Sequence, residues 1–437
     1  MRHSKTDRFH ALLFQLILAL LFVPWLQSHF EWFEEEPLHG ALTEKMNLPL
    51  SEDSWLDGRF QKYREEYLND HFGFRNTAVR IHNQIDFSVF KKVHARSVVI
   101  GKENVLFEEN YITTYFGRDF IGEEAIRKRM SQLRKIQDSL AVHGKTFLLV
   151  FAASKGQFYP EYFPDSCSQT KGSTNYEFHL KLAREYQINH IDFNAWVVEQ
   201  KEHMEYPWYP KYGIHWSYYA ACRVADSLLH YIEAKRHVDM PDLKWNRIRM
   251  ESARKDDRDI ERGMNLLFSL KGPELAYPDI YFESKEGKDK ISAMVVADSY
   301  FWSLFNLGIG NSFEDLAFWY YQSQVWRPHV EFPEVATPEL RKKALRSNDL
   351  VILMATDANL YNLGWGFMDF IEAFIDDQSY IEPDFNERVE SLKNYIPTDS
   401  AWIRDIRIKA AQRGLTVDSM ITLDAIWMVE QEMKTKR

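Results

Sequence analysis

The chain reads as an α/β protein built on a mostly parallel sheet, and three observations predict it. Uninterrupted apolar runs at Thr146-Phe147-Leu148-Leu149-Val150-Phe151, Ile291 to Val296 and Leu350 to Met354 read as strands buried on both faces, since half-exposed strands alternate in polarity. Between them lie segments with apolar residues three and four apart: Ile126, Met130, Leu133, Ile136 and Leu140, then Ala221, Val224, Ala225, Leu228, Leu229 and Ile232. That spacing is the buried stripe of an amphipathic helix. Helices alternating with continuous strands imply crossover connections and hence parallel pairing.

The elements follow in order. Ala11 to Leu26 is apolar except for Gln15 and Pro24, with Arg2, Lys5 and Arg8 before it and Glu31, Glu34, Glu35 and Glu36 after it. Such flanks leave the N-terminus in the cytoplasm and export the rest. An uncleaved anchor is expected, because Gln27-Ser28-His29-Phe30 offers no small-x-small cleavage site; a cleaved signal peptide is the alternative. Residues 1–30 are thus a tail and signal-anchor helix, and 31–95 a helical lead-in in which Phe60, Tyr63, Tyr67 and Phe72 recur at helical intervals. Val98-Val99-Ile100 and Val105-Leu106-Phe107 flank a Gly-Lys turn signal and predict a hairpin or a pair of short strands. Asn189 to Phe193 is a further strand, and helices begin at Tyr218 and Phe301. Residues 236–290, with Arg254-Lys255-Asp256-Asp257-Arg258-Asp259, read as a solvated polar insertion. A helical extension occupies 371–437, with Trp402, Ile406, Ala410, Leu423 and Ile426 as its buried candidates and Lys434, Lys436 and Arg437 at its end.

Composition excludes some classes. A net charge of -10 over 437 residues argues against a phosphate-binding surface, so no nucleic-acid partner is expected. Cys167 and Cys222 are the only cysteines; in an exported chain they form either a bridge or two buried thiols. No Cys/His spacing marks a zinc site, and neither metal nor cofactor is expected.

The chemistry centres on Ala297-Asp298-Ser299, which follows the strand Met294-Val295-Val296 and precedes a helix. That position puts the Ser299 hydroxyl at the carboxyl edge of the sheet, beside helix N–H groups able to hold an oxyanion. The plainer role of Asp298 and Ser299 is to cap the helix. His215, in Gly213-Ile214-His215-Trp216, is the candidate general base, since imidazole exchanges protons near neutrality.

Four stretches together resemble the alginate O-acetyltransferase family. Tyr67-Leu68-Asn69-Asp70-His71-Phe72-Gly73-Phe74-Arg75 is similar to its N-terminal signature, and Val99 to Phe107 to its glycine-lysine segment. Ser154-Lys155 with Tyr159-Pro160-Glu161 is similar to its Pro-x-Lys…Tyr-Pro stretch, and the His-Trp and Asp-Ser motifs complete the set. The resemblance spans roughly residues 60–360. It implies an SGNH hydrolase-like sheet flanked by helices as a catalytic domain at 96–370, with the histidine motif ahead of the serine. It also implies acetyl transfer onto an exported polysaccharide, an extracytoplasmic (periplasmic) site on a single-pass inner-membrane protein, and a multi-spanning membrane acyltransferase that supplies the acetyl group.

Two positions depart from the family. Asp-x-His-Trp is usual, and Gly213 stands at the acid's place; Ala297 replaces the glycine of Gly-Asp-Ser. Without its acid, the histidine loses its orienter, and Asp357, just beyond the strand Leu350 to Met354, is the expected substitute, with Asp192 second. Lys155, Trp216 and Asp298 are the expected substrate contacts, and Trp208, Trp302 and Trp319 are further aromatic faces for a sugar. An esterase of the same fold, and a non-catalytic anchor or assembly protein, are the rival readings.

Overall fold

The computed structural model describes residues 5–40, 48–167, 170–254, 256–289, 291–375 and 385–435. Arg2, Lys255, Lys436 and Arg437 lie outside them. The chain forms two compact units: Met1–Glu108 with Lys211–Gly213 and Arg254–Gly272, and Glu109–Pro210 with Ile214–Ala253 and Pro273–Arg437.

In the first unit, α1 (Lys5–Phe30) runs for 26 residues. Its stretch Phe9–Phe30 is 22 residues long with a mean hydropathy of 2.1, long enough at ~1.5 Å per residue to cross ~30 Å of hydrocarbon. Leu12, Phe14 and Leu21 all point outward, so the helix fits a single-pass membrane anchor. Gly73 packs on this helix: its N–H donates to the Pro24 carbonyl at 3.2 Å, and a Cβ there would stand 2.3 Å from that oxygen. Helices Glu52–Leu56, Arg59–His71 and Arg75–Phe90 follow. The expected hairpin forms from β1 (Val98–Ile100) and β2 (Leu106–Glu108), paired antiparallel. It clusters with the first unit.

The second unit contains β3 (Thr146–Ala152), β4 (His190–Asp192), β5 (Leu243–Glu251), β6 (Leu275–Phe282), β7 (Ser292–Ala297), β8 (Asp315–Tyr320), β9 (Gln324–Trp326), β10 (Glu334–Val335) and β11 (Leu350–Thr356). Seven of these form one sheet in the order β10-β9-β8-β7-β11-β3-β4. From β8 to β4 all pairs are parallel, whereas β9 and β10 add an antiparallel flank. The sheet is therefore mixed, with the parallel core that the apolar runs predicted. Ile126, Met130, Leu133, Ile136 and Leu140 of the helix Glu123–Val142 are all buried in one cluster with Phe147, Leu149, Phe151, Val351 and Leu353. Each such side chain contributes roughly 1.5–3 kcal/mol by leaving water.

Two features correct the sequence reading. The polar stretch 236–290 contains a long antiparallel ladder, β5 with β6, whose charged outer positions hid its strand character. The turn-and-strand segment of β8 and β9 was also passed over. Helices Phe385–Tyr395, Trp402–Arg413 and Val417–Thr435 bury Ile406, Ala410 and Leu423, with Trp402 and Ile426 packed against them. Cys167 and Cys222 are free thiols.

Candidate active site

β7, β11 and β3 are adjacent and parallel, so their carboxyl ends bring Asp298-Ser299, Thr356-Asp357 and Ala153-Ser154-Lys155 to one edge of the sheet. In open α/β sheets, ligands bind at such edges. Asp298 is fully buried and secures this edge. Its Oδ2 accepts the Thr356 N–H (2.8 Å), the Thr356 hydroxyl (2.8 Å) and Asn359 Nδ2 (2.9 Å), and its Oδ1 accepts the Tyr300 N–H (3.1 Å). A carboxylate is the one side chain that accepts all four without donating. Ser299 emerges half-buried from this clamp.

His215 lies on the loop that precedes the helix Tyr218–Arg236, which Ser217 caps through the Ala220 N–H at 3.2 Å. The loop is fixed from several sides. Lys155 Nζ donates to the Pro210 carbonyl at 2.8 Å, Tyr209 Oη to the Ala153 carbonyl at 2.7 Å, and Trp216 Nε1 to Tyr209 Oη at 3.0 Å. Tyr300, the neighbour of Ser299, donates its hydroxyl to the Ile214 carbonyl at 2.7 Å and lies 4.9 Å, centroid to centroid, from the His215 ring. The residue after the serine thereby grips the residue before the histidine. His215 Nε2 stands 3.0 Å from Ser299 Oγ, which is hydrogen-bond reach for a nucleophile and its base.

Tyr321 completes the edge, and the sequence reading missed it. Between β8 and β9 the Ser323 N–H donates to the Tyr320 carbonyl at 3.0 Å, closing a turn whose central residues Tyr321 and Gln322 have φ of 46° and 58°. Paired positive φ values are the mark of a type I′ turn, a place usually taken by Asn and Gly. Nothing in Tyr-Gln-Ser announces such a turn. Held there, Tyr321 donates its N–H to the Ala297 carbonyl at 3.0 Å, which sets its phenol beside Ser299. Burial pushes the phenol's pKa up, so it stays a neutral O–H donor.

The other expected residues are placed differently. Asp357 is fully buried, with Ser154 and Gln157 beside it, and burial raises its pKa to about 6. Asp192 caps the helix Phe193–Gln200 and accepts the Tyr176 hydroxyl at 2.8 Å. Asp298 is committed to the clamp, and Lys155 is buried with its ammonium donating to a backbone carbonyl. Trp216 is buried edge-on against Tyr300. Trp208 and Trp319 are buried as well, and Trp302 packs among Phe305, Phe318, Tyr320 and Trp326.

Residues 98–260 match the family model of the SGNH hydrolase-like domain of acetyltransferase AlgX. That stretch is less than half of the chain, and over it the chain is similar to an SGNH hydrolase-like acetyltransferase domain. The matched stretch of the SGNH-like domain includes His215 and stops short of Ser299. A probable alginate O-acetylase AlgJ of Pseudomonas syringae pv. tomato is 22% identical over 135 residues, 31% of this chain and 33% of that one. The shared stretch thus spans about a third of that relative. Among solved structures, the O-acetyltransferase domain of Pseudomonas putida AlgJ aligns with a TM-score of 0.43 at 16% identity, over 64% of this chain and 99% of that one. Pseudomonas aeruginosa AlgX aligns at 0.40 and 16%, over 65% and 69%, and Bacillus cereus PatB1 at 0.39 and 12%, over 60% and 96%.

Proposed function

We propose that this chain is a membrane-anchored, extracytoplasmic O-acetyltransferase that moves acetyl groups onto hydroxyls of an exported polysaccharide. The observation that carries the reading is the 3.0 Å approach of His215 Nε2 to Ser299 Oγ at a half-buried sheet edge. His215 takes the Ser299 proton as Oγ attacks the carbonyl carbon of an acetyl ester. The Tyr321 hydroxyl is the proposed donor to the tetrahedral oxyanion, such a donor being worth roughly 3 kcal/mol in the transition state. The donor's C–O bond breaks and its leaving oxygen takes the proton from His215. A sugar hydroxyl then loses its proton to His215 as it attacks the acetyl-serine, and Ser299 is released with its proton restored.

The anchor α1 and its flanking charges support an inner-membrane protein whose SGNH-like domain faces the periplasm. A multi-spanning membrane acyltransferase is the proposed source of the acetyl group. The test is Ser299→Ala in cells: polymer acetylation should vanish while export and membrane level persist, and unchanged acetylation removes the proposal. Gly213 in place of the family's acid favours a second reading, a non-catalytic assembly partner. An activated-serine probe separates the two, since only the transferase should be labelled at Ser299. Acetyl release from a pseudo-substrate that ignores added oligosaccharide would instead identify an esterase.

A further inference from the structure

From the first unit we infer a transition-metal site formed by His82, Asp86 and His94, which takes one divalent cation of the zinc class. His82 and Asp86 are four residues apart on the helix Arg75–Phe90 and therefore share a face. The helix stops at Lys91, whose φ of 53° is left-handed, and the Lys92 N–H donates back to the Asp86 carbonyl at 3.1 Å. This reversal returns the chain over the final turns, so that His94 Nε2 comes to 2.6 Å from Asp86 Oδ2. His82 Nε2 lies 3.7 Å from the same oxygen, and the two imidazole rings are 5.0 Å apart. All three donor atoms fall within 4.8 Å of one another.

Tetrahedral zinc with bonds of ~2.0–2.2 Å needs donors about 3.3 Å apart. The distances of 2.6 and 3.7 Å bracket that figure, so the set closes on an ion by small rotations of the two exposed imidazoles about Asp86. On binding, His94 presents its Nε2 lone pair, and the proton now shared with Asp86 moves to Nδ1 or to water. Two imidazoles and one carboxylate favour zinc-class ions over calcium or magnesium, which prefer oxygen donors. Side-chain exposures of 65% for His82 and 34% for His94 leave the outer side open for a water as fourth ligand. Lys91 is turned aside over the Phe87 ring, and Lys92 is the lysine whose charge acts on Asp86.

A second group, His230, Glu233 and Asp242, is the contrast. There Glu233 already accepts the Met240 N–H at 2.7 Å and Asp242 pairs with Lys244 at 3.4 Å, so one oxygen of each carboxylate is engaged. The sequence reading found no zinc spacing because the third ligand arrives only through the left-handed turn at Lys91.

Calorimetric titration of the full chain in detergent with Zn²⁺ tests the site. Saturable binding of one ion is expected, weakened at least about tenfold by His82→Ala, Asp86→Asn or His94→Ala and unchanged by His230→Ala. Co²⁺ should give the visible absorption of a tetrahedral nitrogen–oxygen site in the unmutated protein. There, Zn²⁺ should also shield His82 and His94 from diethyl pyrocarbonate, a readout that needs no variant to fold. Absence of saturable binding, binding indifferent to the three ligand variants, or no shielding overturns the assignment.

Discussion

Asp298 holds Thr356 by two hydrogen bonds to one oxygen, Oδ2, each 2.8 Å long. The end of β7 is thereby fastened to the end of β11, and Ser299 leaves the sheet from a fixed point. Asp298→Asn puts an amide NH₂ or a single carbonyl where four donors converge, so at least one buried donor goes unpaired. A loss of about 2–4 kcal/mol in unfolding free energy is expected, together with reduced turnover. Thr356→Val keeps the N–H contact and should cost less. Equal melting curves for Asp298→Asn and wild type would contradict the clamp.

Tyr321→Phe removes one hydroxyl beside Ser299 and leaves the ring edge-on to Trp365 at 5.0 Å. Turnover of an acetyl pseudo-substrate should fall about 10²–10³-fold, while KM and the far-ultraviolet spectrum stay near wild type. A rate within twofold of wild type would assign the phenol to packing alone.

The strands and the two ends of the site were legible because their signals are local. β3, β7 and β11 are apolar without interruption, and Ser299 and His215 sit beside a strand end and a helix start. What escaped was set by tertiary geometry. Lys155 reads as a ligand-facing cation at a strand end, yet in the fold its ammonium meets the Pro210 carbonyl. Asp357 reads as an orienting acid from its place after β11, and no local signal shows how completely the fold buries it. Tyr321 carries no turn residue to betray it.

Burial drives two pKa values in opposite directions: Asp357 rises from 3.8 to about 6 and His179 falls from 6.5 to about 4. Between pH ~4 and ~6 the folded chain keeps a proton on Asp357 that the unfolded chain has lost, so this group lowers stability as pH rises. Over the same window the unfolded chain holds a proton on His179 that the folded chain lacks, and stability rises with pH. Each amounts to about 3 kcal/mol at full extent, and they largely cancel. Relative to wild type, Asp357→Asn should therefore gain stability with rising pH across this window, and His179→Gln should lose it. Urea unfolding at pH 4.5 and 7 measures both slopes; parallel profiles for all three proteins would refute the assignment.

Gly73→Ala drives a Cβ to within 2.3 Å of the Pro24 carbonyl and 2.5 Å of Gln27 Cβ. The contact must open, which separates the end of α1 from the turn between the helices Arg59–His71 and Arg75–Phe90. Limited proteolysis should then cut faster near Glu31 to Glu36, with the protein still in the membrane fraction. A cleavage rate matching wild type would show the contact to be dispensable.

The turn at Tyr321 and Gln322 sets durability against chemistry. Both residues occupy backbone geometry that glycine would adopt without strain, at a cost of roughly 1–2 kcal/mol each. Gln322 compounds it by burying an amide with neither oxygen nor nitrogen satisfied. Selection for a tougher scaffold would erase this corner first, trading it for Asn-Gly and discarding the phenol. Its persistence under selection would have to be earned by what the phenol does for the neighbouring alcohol.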